Sequence, residues 1–334
     1  IGMLSLKWPE RDNTAMGGAR QTNASAPHTV RPFLKWAGGK RQLLPEIRRF
    51  YPKTFKSYLE PFVGSGAVFF DLCSSGHLAG HSSTLLDSNS DLVGCYLNIR
   101  DHRSAVVKAL SRLATARIDD PERHYYRVRD EKFNPERKRL ANGRGPNSQR
   151  YSPSLTAMLI YLNRTGFNGL FRLNSKGSFN VPMGRYKNPT ICDADNLAAV
   201  EYALSSDVAI QEDHFETTLD LAKKHDFVYF DPPYAPLTRT AHFTSYTATG
   251  FSASDQERLQ QVVIELARRG CFVLLSNSTA PDITRLYDGN PDTTAVGLRA
   301  YKVPARRTIN STPNKRGTVL EYLITNVPRG PNPN

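Results

Sequence analysis

Short apolar runs alternate with amphipathic stretches along most of this chain. The runs at 226–230 and 271–277 are rich in β-branched and aromatic residues, which is typical of short buried strands. Between them we predict a helix that begins with a capping box of Ser254 and Glu257 and ends at Gly270. Its apolar face carries Leu259, Val262, Val263, Leu266 and Ala267. Strands that alternate with helices in this way predict an α/β fold with a parallel sheet.

Further strands extend this pattern on both sides. Residues 58–60, 85–87 and 208–210 each form a short apolar run that we predict to be a strand. Near the end of the chain, residues 308–310 and 319–324 predict a hairpin. The α/β pattern therefore occupies both the first and the last thirds of the sequence.

The alternation of predicted strands and helices stops in the middle of the chain. A polar, arginine-rich stretch at 136–150 predicts a mobile basic loop. A helix follows at 155–163, and the aromatic residues and Asn-Gly and Lys-Gly turns of 163–182 predict a hairpin. We therefore divide the chain into a flexible tail at 1–30, a first α/β part at 31–95, an inserted domain at 96–192, a second α/β part at 193–327 and a flexible tail at 328–334.

The charge of the chain constrains its partners. Lys and Arg exceed Asp and Glu by 44 − 31 = 13, and the pI is near 9.6. This surplus favours nucleic acid first and an anionic membrane surface second, although a merely basic soluble protein has the same composition. No apolar run approaches the ~18 residues of a membrane helix. The four cysteines include no CxxC pair, so we expect no metal site and a reducing compartment.

The strand at 226–230 ends in Asp231-Pro232-Pro233-Tyr234. Neither proline has an N–H for a ladder and each ring fixes φ, so the strand must stop in a stiff turn. That turn holds Asp231 and Tyr234 at the carboxyl end of the strand, where ligands bind in open α/β sheets. On its own, a four-residue match of this kind is better interpreted as an ordinary strand followed by a proline turn.

A second candidate site follows the strand at 58–60. The turn Gly64-Ser65-Gly66 leads into a helix, and about twenty residues later Asp87 ends the next strand, where nucleotide-binding folds hold ribose hydroxyls. This spacing predicts a cofactor with an adenosyl group. The third glycine of the dinucleotide fingerprint is missing, which disfavours a nicotinamide oxidoreductase, and residues 36–40 lack the spacing of a Walker A loop.

Cations and aromatic residues are interleaved in the predicted hairpin. Arg172, Lys176 and Arg185 lie near Phe167 and Phe171. This pattern suits the reading of base edges in a groove and stacking on bases. An edge hairpin with one solvated face would show the same pattern.

Four motifs in order resemble the Dam-type DNA adenine-N6 methyltransferases (alpha group, D12 class) over residues 31–326. They are Phe33-Leu34-Lys35-Trp36-Ala37-Gly38-Gly39-Lys40, Glu60-Pro61-Phe62-Val63-Gly64-Ser65-Gly66, Phe167-Asn168-Gly169-Leu170 with Phe179-Asn180-Val181-Pro182-Met183-Gly184-Arg185-Tyr186, and Asp231-Pro232-Pro233-Tyr234-Ala235-Pro236-Leu237. The resemblance implies a Rossmann-like, seven-stranded methyltransferase sheet with an inserted, mostly helical plus hairpin, target-recognition domain.

S-adenosyl-L-methionine is the cofactor that the resemblance implies. Many relatives have Asp directly before the aromatic residue at 215, whereas this chain has His214 there, with Asp213 one position earlier. The residues that match the cofactor pocket of the family are Trp36, Ala37, Lys40, Glu60, Phe62, Gly64, Ser65, Gly66, Asp87, His214, Phe215 and Asp231.

The resemblance also implies a direct methyl transfer to adenine N6. Acceptors on the two N–H bonds, the Asp231 carboxylate and the Pro232 carbonyl, would direct the nitrogen lone pair at the methyl group, so that positioning supplies much of the acceleration. The base must leave the duplex, at a cost of a few kcal/mol. Tyr234, which follows Pro233, would stack on the base and return part of that cost, about 1–3 kcal/mol.

Double-stranded DNA is the implied substrate, with GATC as the predicted target. Arg172 would read guanine with a bidentate contact, while Phe167 and Asn168 fill the space that the flipped base leaves. We expect the basic stretch at 136–150 to contact phosphates. The residues that match the family's DNA contacts are Lys35, Phe167, Asn168, Leu170, Arg172, Pro182 and Arg185.

Other functions remain open at this point. The acceptor geometry also suits cytosine-N4 of DNA or adenine-N6 of RNA, and an inactive DNA-binding relative would keep the same motifs. We expect a cytoplasmic monomer that acts on DNA in a bacterial, archaeal or phage-infected cell and has no membrane partner. A cognate restriction endonuclease, and hence a restriction-modification role, is left open.

Overall fold

A computed structural model describes residues 29–143, 145–204, 207–236, 251–306 and 318–331. Its strands are β1 (Tyr58–Glu60), β2 (Ser83–Asp87), β3 (Val208–Glu212), β4 (Phe227–Phe230), β5 (Phe272–Ser278), β6 (Arg299–Arg306) and β7 (Thr318–Thr325). Its α-helices are α1 (Leu44–Ile47), α2 (Ala67–Ser74), α3 (Ser90–Ala116), α4 (Pro121–Tyr126), α5 (Asn134–Ala141), α6 (Pro153–Thr165), α7 (Ala194–Ala203), α8 (Thr218–Leu221), α9 (Ala253–Arg268), α10 (Pro281–Tyr287) and α11 (Pro291–Ala295). A π-helix at Arg127–Phe133 joins α4 to α5.

The strands form one sheet in the order β3-β2-β1-β4-β5-β7-β6. The first five strands of this order are parallel, and β7 is antiparallel to both β5 and β6. The predicted seven-stranded, Rossmann-like α/β sheet is therefore confirmed. The strand order reverses between β1 and β4, so the carboxyl ends of these strands flank the crevice where open α/β sheets bind ligands.

Both faces of the sheet are covered, which explains why its central strand is apolar throughout. Every residue of β4 is buried. Because successive side chains of a strand point to opposite faces, Phe227 and Tyr229 belong to one core, and Val228 and Phe230 to the other. The apolar face of α9 packs into the second core, as the sequence pattern predicts.

The residues between α3 and α7 are mainly helical, and α6 packs along α3. Two isolated bridges, Gly166 with Met183 and Leu173 with Phe179, join the two sides of the segment that follows α6. The segment therefore folds back on itself as predicted, with bridges in place of a continuous ladder. The division of the chain into domains stays a prediction.

The prediction of a mobile basic loop at 136–150 is wrong. Residues of this stretch form α5 and a 3₁₀ turn at Ser148–Arg150. Arg137 pairs with Asp91 of α3, and Arg150 donates to Asn147. Arg137 looks like a solvated charge in the sequence because its partner lies 46 residues away along the chain.

The predicted start of α9 is late by two residues. The Ser252 hydroxyl accepts from the Asp255 N–H at 3.2 Å, and the Ser252 N–H donates to the Asp255 carboxylate at 2.7 Å. The capping box is therefore formed by these two residues. Ser254 and Glu257 repeat the same spacing two positions later, which is why the sequence pattern does not distinguish them.

The C-terminal region differs from prediction in two respects. β7 pairs with Arg299–Arg306, while residues 308–310, the predicted partner, lie outside the described residues. At the start of the predicted flexible tail, the Gly330 N–H donates to the Arg49 carbonyl at 2.7 Å. The predicted tail at 1–30 lies outside the described residues up to 28. None of the described helices is long and apolar enough to span a membrane.

Candidate active site

The two turns that were predicted to bind ligands leave the sheet next to each other. β1 ends at Glu60, β4 ends just before Asp231, and the two strands are paired. The structure therefore brings the glycine-rich turn and the Asp-Pro-Pro-Tyr turn to the same edge of the sheet, at the reversal of strand order.

Asp231 is held by a lysine and a serine. The Lys40 ammonium lies 2.6 Å from Asp231 Oδ1 and donates to the Gly38 carbonyl at 2.5 Å. Ser276 of β5 donates to the same Oδ1 at 2.9 Å. Burial raises the pKa of Asp231, and the Lys40 charge and the two hydrogen bonds offset part of that rise. These neighbours therefore favour the ionised carboxylate.

Tyr234 contacts the same lysine and a second carboxylate. The Lys40 ammonium lies 4.5 Å from the centroid of the Tyr234 ring, and the Tyr234 hydroxyl donates to Glu321 of β7 at 2.9 Å. Burial, followed by the charges of Asp231 and Glu321, raises the pKa of Tyr234 well above its ordinary value. The phenol therefore stays neutral and remains a donor. Glu321 was not predicted from the sequence.

The backbone of the Asp-Pro-Pro-Tyr turn is bound by side chains from α9 and β5. Gln256 donates to the Pro233 carbonyl at 3.0 Å, and Asn277 donates to the Gln256 side-chain oxygen at 3.0 Å. The Ala235 N–H donates to Asn277 at 3.4 Å, and Ser278 donates to the Ala235 carbonyl at 2.7 Å. Sequence reasoning missed these residues because isolated amides and hydroxyls have no recognisable spacing.

The glycine-rich turn needs glycine at two positions. Gly64 and Gly66 have φ of +49° and +68°, a region that side chains with a Cβ avoid. A Cβ on Gly64 would lie 3.1 Å from the Trp36 ring, and one on Gly66 would lie 2.6 Å from the Tyr96 hydroxyl. The turn therefore packs directly against Trp36, which brings two predicted cofactor motifs into contact.

Asp87 receives two backbone hydrogen bonds from the segments around it. The Gly64 N–H donates to Oδ2 at 3.1 Å, and the Asn89 N–H donates to Oδ1 at 2.9 Å. Burial raises the pKa of Asp87 to about 6, and both hydrogen bonds oppose the rise. Because an ionised carboxylate has about four lone-pair sites, two of them remain for a ligand.

Three phenylalanine rings form a cluster that includes Phe62, two residues before the glycine-rich turn. The Phe62 and Phe215 rings are stacked with centroids 5.4 Å apart, and Phe251 lies 5.7 Å from both. Phe251 was not predicted. His214 is exposed, and its backbone N–H donates to the Asp213 carboxylate at 2.8 Å. The departure from the family pattern thus leaves Asp213 bound to the backbone beside the cluster.

Glu60 is the last residue of β1, directly before the segment that leads to the glycine-rich turn. It is 2% exposed, and the Tyr58 hydroxyl donates to it at 2.8 Å. Burial raises the pKa of Glu60 well above its ordinary value. Of the other predicted cofactor residues, Ala37 is exposed, and Gly64 and Ser65 are partly exposed. No group of three or more His, Cys, Asp or Glu in the described part of the chain could hold a metal ion.

The predicted DNA-reading residues lie on adjacent turns. Phe167 is 49% exposed, and the neighbouring Asn168 has φ of +54°. Gly169, at φ of +63°, packs so closely on Lys35 that a Cβ would overlap the lysine side chain. The Lys35 ammonium in turn lies 4.2 Å from the centroid of the Tyr186 ring. The structure therefore presents an aromatic ring and an amide on an exposed turn.

The remaining predicted DNA contacts differ in accessibility. Arg172 is exposed, and its Nε donates to the Asn180 side chain at 2.8 Å, which fixes the direction of the guanidinium. Pro182 and Arg185 are also exposed, whereas Leu170 is buried. The structure therefore offers Leu170 as support for the turn rather than as a surface contact.

Two contacts join the cofactor motifs to this surface. The Trp36 ring stacks on Phe171 with centroids 5.4 Å apart. The buried Asn163 accepts from the Lys35 N–H and donates to the Lys35 and Gly169 carbonyls, each at 2.8 Å. The exposed turn is therefore joined by direct contacts to the loop that carries Lys40.

An ion pair anchors the far end of the segment after α6. Arg137 of α5 binds both oxygens of Asp91 at 2.6 Å and donates to the Gly177 carbonyl at 2.7 Å. The Tyr151 hydroxyl donates to Asp91 at 3.1 Å. Arg137 thus joins α3, α5 and the turn around Gly177.

Comparison with known proteins agrees with this arrangement. The Type II methyltransferase M1.LlaDCHI of Lactococcus lactis subsp. cremoris is 37% identical over 89% of this chain and 95% of its own length. The Type II methyltransferase M.MjaIII of Methanocaldococcus jannaschii is 39% identical over 89% of this chain and 99% of its own. The DNA adenine methylase of Escherichia coli (strain K12) is 35% identical over 88% of this chain and 94% of its own length.

A solved structure, the precorrin-6y C5,15-methyltransferase of Geobacter metallireducens GS-15, covers 88% of this chain and 98% of its own at a TM-score of 0.35 and 10% identity, a likeness too low to argue from. The sequence profile described as D12 class N6 adenine-specific DNA methyltransferase matches residues 36–309. With the sheet, the two turns and these relatives in view, this chain belongs to the D12 class of N6 adenine-specific DNA methyltransferases.

Proposed function

We propose that this protein transfers the methyl group of S-adenosyl-L-methionine to N6 of adenine at a specific site in duplex DNA. The observation that carries the proposal is the Asp-Pro-Pro-Tyr turn. A carboxylate that is 19% exposed and fixed by Lys40 and Ser276 lies beside a backbone carbonyl and an aromatic ring at the reversal of strand order. Family membership supports the reaction class.

The residues around the glycine-rich turn fit the cofactor. Asp87 has lone pairs left for two ribose hydroxyls, and the Phe62–Phe215 stack offers apolar surface for an adenine ring. The positive φ values of the turn keep side chains away from the methionine part of the ligand. The proposed pocket also includes Trp36, Ala37, Lys40, Glu60, Ser65 and His214. When bound, S-adenosyl-L-methionine supplies an activated methyl group on a sulfonium.

Asp231 and Pro232 orient the adenine amine in this proposal. Lys40 and Ser276 both contact Asp231 Oδ1, so we assign Oδ2 to one N–H of the amine. The Pro232 carbonyl receives no donor from the described residues and takes the other N–H. With both hydrogens held in plane, the nitrogen lone pair is directed at the methyl group.

The target base must leave the duplex to reach Asp231. Tyr234 stacks on the flipped base, and Phe167 with Asn168 fills the gap in the stack, because both lie on an exposed turn. Arg172, braced by Asn180, reads guanine from the major groove. Lys35, Pro182 and Arg185 lie near this surface, and the target sequence in this proposal is GATC.

Methyl transfer from labelled S-adenosyl-L-methionine to unmethylated plasmid tests the proposal. The product is sequenced for modified bases, and wild type is compared with Asp231→Ala. We expect label on adenine N6 within GATC, and its absence in the variant.

Other outcomes would revise different parts of the proposal. Adenine label in another sequence would leave the chemistry standing and overturn the assignment of the 167–185 segment. Label on cytosine, or on RNA in place of DNA, would overturn the substrate. Cofactor binding without transfer to any nucleic acid would indicate an inactive relative.

A further inference from the structure

The turn after β4 is braced by a buried pair of amides that lies outside the proposed substrate and cofactor contacts. Gln256 of α9 is 2% exposed and Asn277 of β5 is fully buried. Gln256 binds the Pro233 carbonyl, and Asn277 binds the Ala235 N–H, so the pair holds the turn on both sides of Tyr234.

The backbone determines which way each amide points. Asn277 Oδ1 accepts from two N–H groups, those of Ala235 and Ser278, so its nitrogen must face Gln256. The Gln256 oxygen accepts from that nitrogen at 3.0 Å, which leaves the Gln256 nitrogen to donate to Pro233. A single chain of donors and acceptors therefore runs from β5 through α9 to the turn.

This chain leaves the Pro232 carbonyl of the turn available. The carbonyls of Pro233 and Ala235 are both taken, by Gln256 and Ser278. No described residue donates to the carbonyl of Pro232, one peptide unit away. The brace thus restrains the peptide between Pro233 and Tyr234, which directly follows the peptide that carries the Pro232 carbonyl.

We propose that Gln256 and Asn277 are positioning residues for methyl transfer: they fix the direction of the Pro232 carbonyl, the second acceptor of the adenine amine. The inference rests on the proposed function and deepens it. Because none of the described hydrogen bonds of these two side chains reaches the glycine-rich turn or the 167–185 segment, their loss should slow the chemical step and leave the binding of cofactor and DNA unchanged.

Gln256→Glu is the decisive variant. Its carboxylate can still accept from Asn277, but an ionised oxygen then faces the Pro233 carbonyl in place of a donor. We expect single-turnover methyl transfer to fall by about 10- to 100-fold, since a displacement near 1 Å costs up to ~100-fold. The dissociation constants for cofactor and DNA should stay within about twofold of wild type. The loss of an interaction that forms only in the transition state lowers the rate without weakening binding in the ground state.

A pH profile separates positioning from mere damage. A protonated carboxyl can donate to Pro233, and burial favours that form, so the rate of Gln256→Glu relative to wild type should rise as pH falls. The titratable groups nearby are Asp231, Tyr234 and Glu321 on the turn and β7, and Asp255, Glu257 and the Arg258–Glu216 pair around α9. They are common to both proteins and cancel in the ratio.

Gln260→Glu is the matched control. Gln260 lies one turn along α9 and donates to the Leu286 carbonyl of α10, away from the turn. The same chemical change there should leave the transfer rate at the wild-type value. Gln256→Met, which removes the donor without adding charge, replaces Gln256→Glu if the latter does not fold, as judged by circular dichroism.

The outcomes distinguish the two proposals. If wild type does not methylate adenine, the proposed function fails. If wild type is active and folded Gln256→Glu or Gln256→Met transfers methyl at the wild-type rate, the positioning role is overturned. Equal losses in Gln256→Glu and Gln260→Glu would also overturn it, because they would indicate general disturbance of α9.

Discussion

At the scale of single residues, Lys40 controls the charge state of Asp231. Its ammonium offsets part of the rise in the Asp231 pKa that burial causes. Lys40→Met should therefore raise the Asp231 pKa further. If the ionised carboxylate holds the adenine amine, the acid limb of the kcat/KM profile must move to higher pH in this variant.

The measurement is the pH dependence of kcat/KM for methyl transfer to plasmid DNA. Lys40→Arg, which keeps the positive charge, is the control and should shift the acid limb less than Lys40→Met. An acid limb at the same pH in wild type and Lys40→Met would contradict an electrostatic role of Lys40 at Asp231.

Asp87 gives a second prediction with a defined pH window. Its pKa in the folded protein is about 6, because burial disfavours the charged form. In the proposed function ribose hydroxyls donate to the ionised carboxylate, so affinity for S-adenosyl-L-methionine should fall as pH drops through 6. One unit below the pKa, about a tenth of the sites remain ionised, which predicts roughly tenfold weaker binding.

Calorimetric titration of the cofactor between pH 5 and 8 tests this prediction. Asp87→Asn should bind more weakly at neutral pH and lose this pH dependence. The sign for stability is opposite: because the folded pKa lies above the ordinary value, this group's contribution to the free energy of unfolding is present at low pH and is lost as pH rises through about 6. Binding that is flat with pH in wild type would refute the assignment of Asp87.

The sequence could place Asp231, Tyr234 and Asp87 at the carboxyl ends of strands, because Asp87 ends one apolar run and a recognisable proline turn follows another. Gln256 and Glu321 contact the same turn from 23 and 87 residues away along the chain. Their types and spacing carry no signal of their own. Only the pairing of β4, β5 and β7 in one sheet brings such residues together, so they required the structure.

At the scale of elements, α5 is attached to the rest of the protein by the Arg137–Asp91 pair. Both side chains are largely buried, at 14% and 7% exposure. Arg137→Met leaves Asp91 as an uncompensated buried charge, which should lower the free energy of unfolding by about 3–5 kcal/mol. Arg137→Met with Asp91→Asn should lower it less than the sum of the two single changes.

Denaturant titration of the four proteins measures this coupling. Arg139→Met is the control, because Arg139 is exposed on the same helix and its loss should change the free energy of unfolding by less than about 0.5 kcal/mol. Strict additivity of Arg137→Met and Asp91→Asn would contradict the pairing. Part of the basic stretch is thus a helix that Arg137 anchors to α3. The sequence pattern does not show this, because the partner of Arg137, Asp91, lies 46 residues away along the chain.

At the scale of the whole molecule, the alternation of strands and helices was enough to predict an α/β fold with a parallel sheet. Buried parallel strands must be apolar on both faces, so β1, β4 and β5 stand out in the sequence. The inserted segment after α6 was harder to predict, because it has no continuous strand ladder. Two isolated bridges and contacts to Asn163 and Arg137 stabilise it instead. Such contacts leave no periodicity.

The net charge of +13 makes a last prediction about the molecule as a whole. Each phosphate contact contributes about −0.9 to the slope of log affinity against log salt, so DNA binding should weaken steeply with salt. Lys176 is exposed on the turn that Arg137 supports. If this turn faces the phosphates, Lys176→Gln should reduce the magnitude of the slope by about 0.9, the contribution of one contact, and leave the proposed preference for GATC unchanged.

Arg268→Gln removes the same charge at the opposite end of the sheet. Arg268 is 62% exposed and ends α9, and the chain enters β5 at its amino end only four residues later. Because the proposed site lies at the carboxyl ends of the strands, the salt dependence of this variant should equal that of wild type. Fluorescence anisotropy with GATC and scrambled duplexes at several salt concentrations measures both variants. Equal slopes for wild type and Lys176→Gln would show that the Gly177 turn does not contact the DNA backbone.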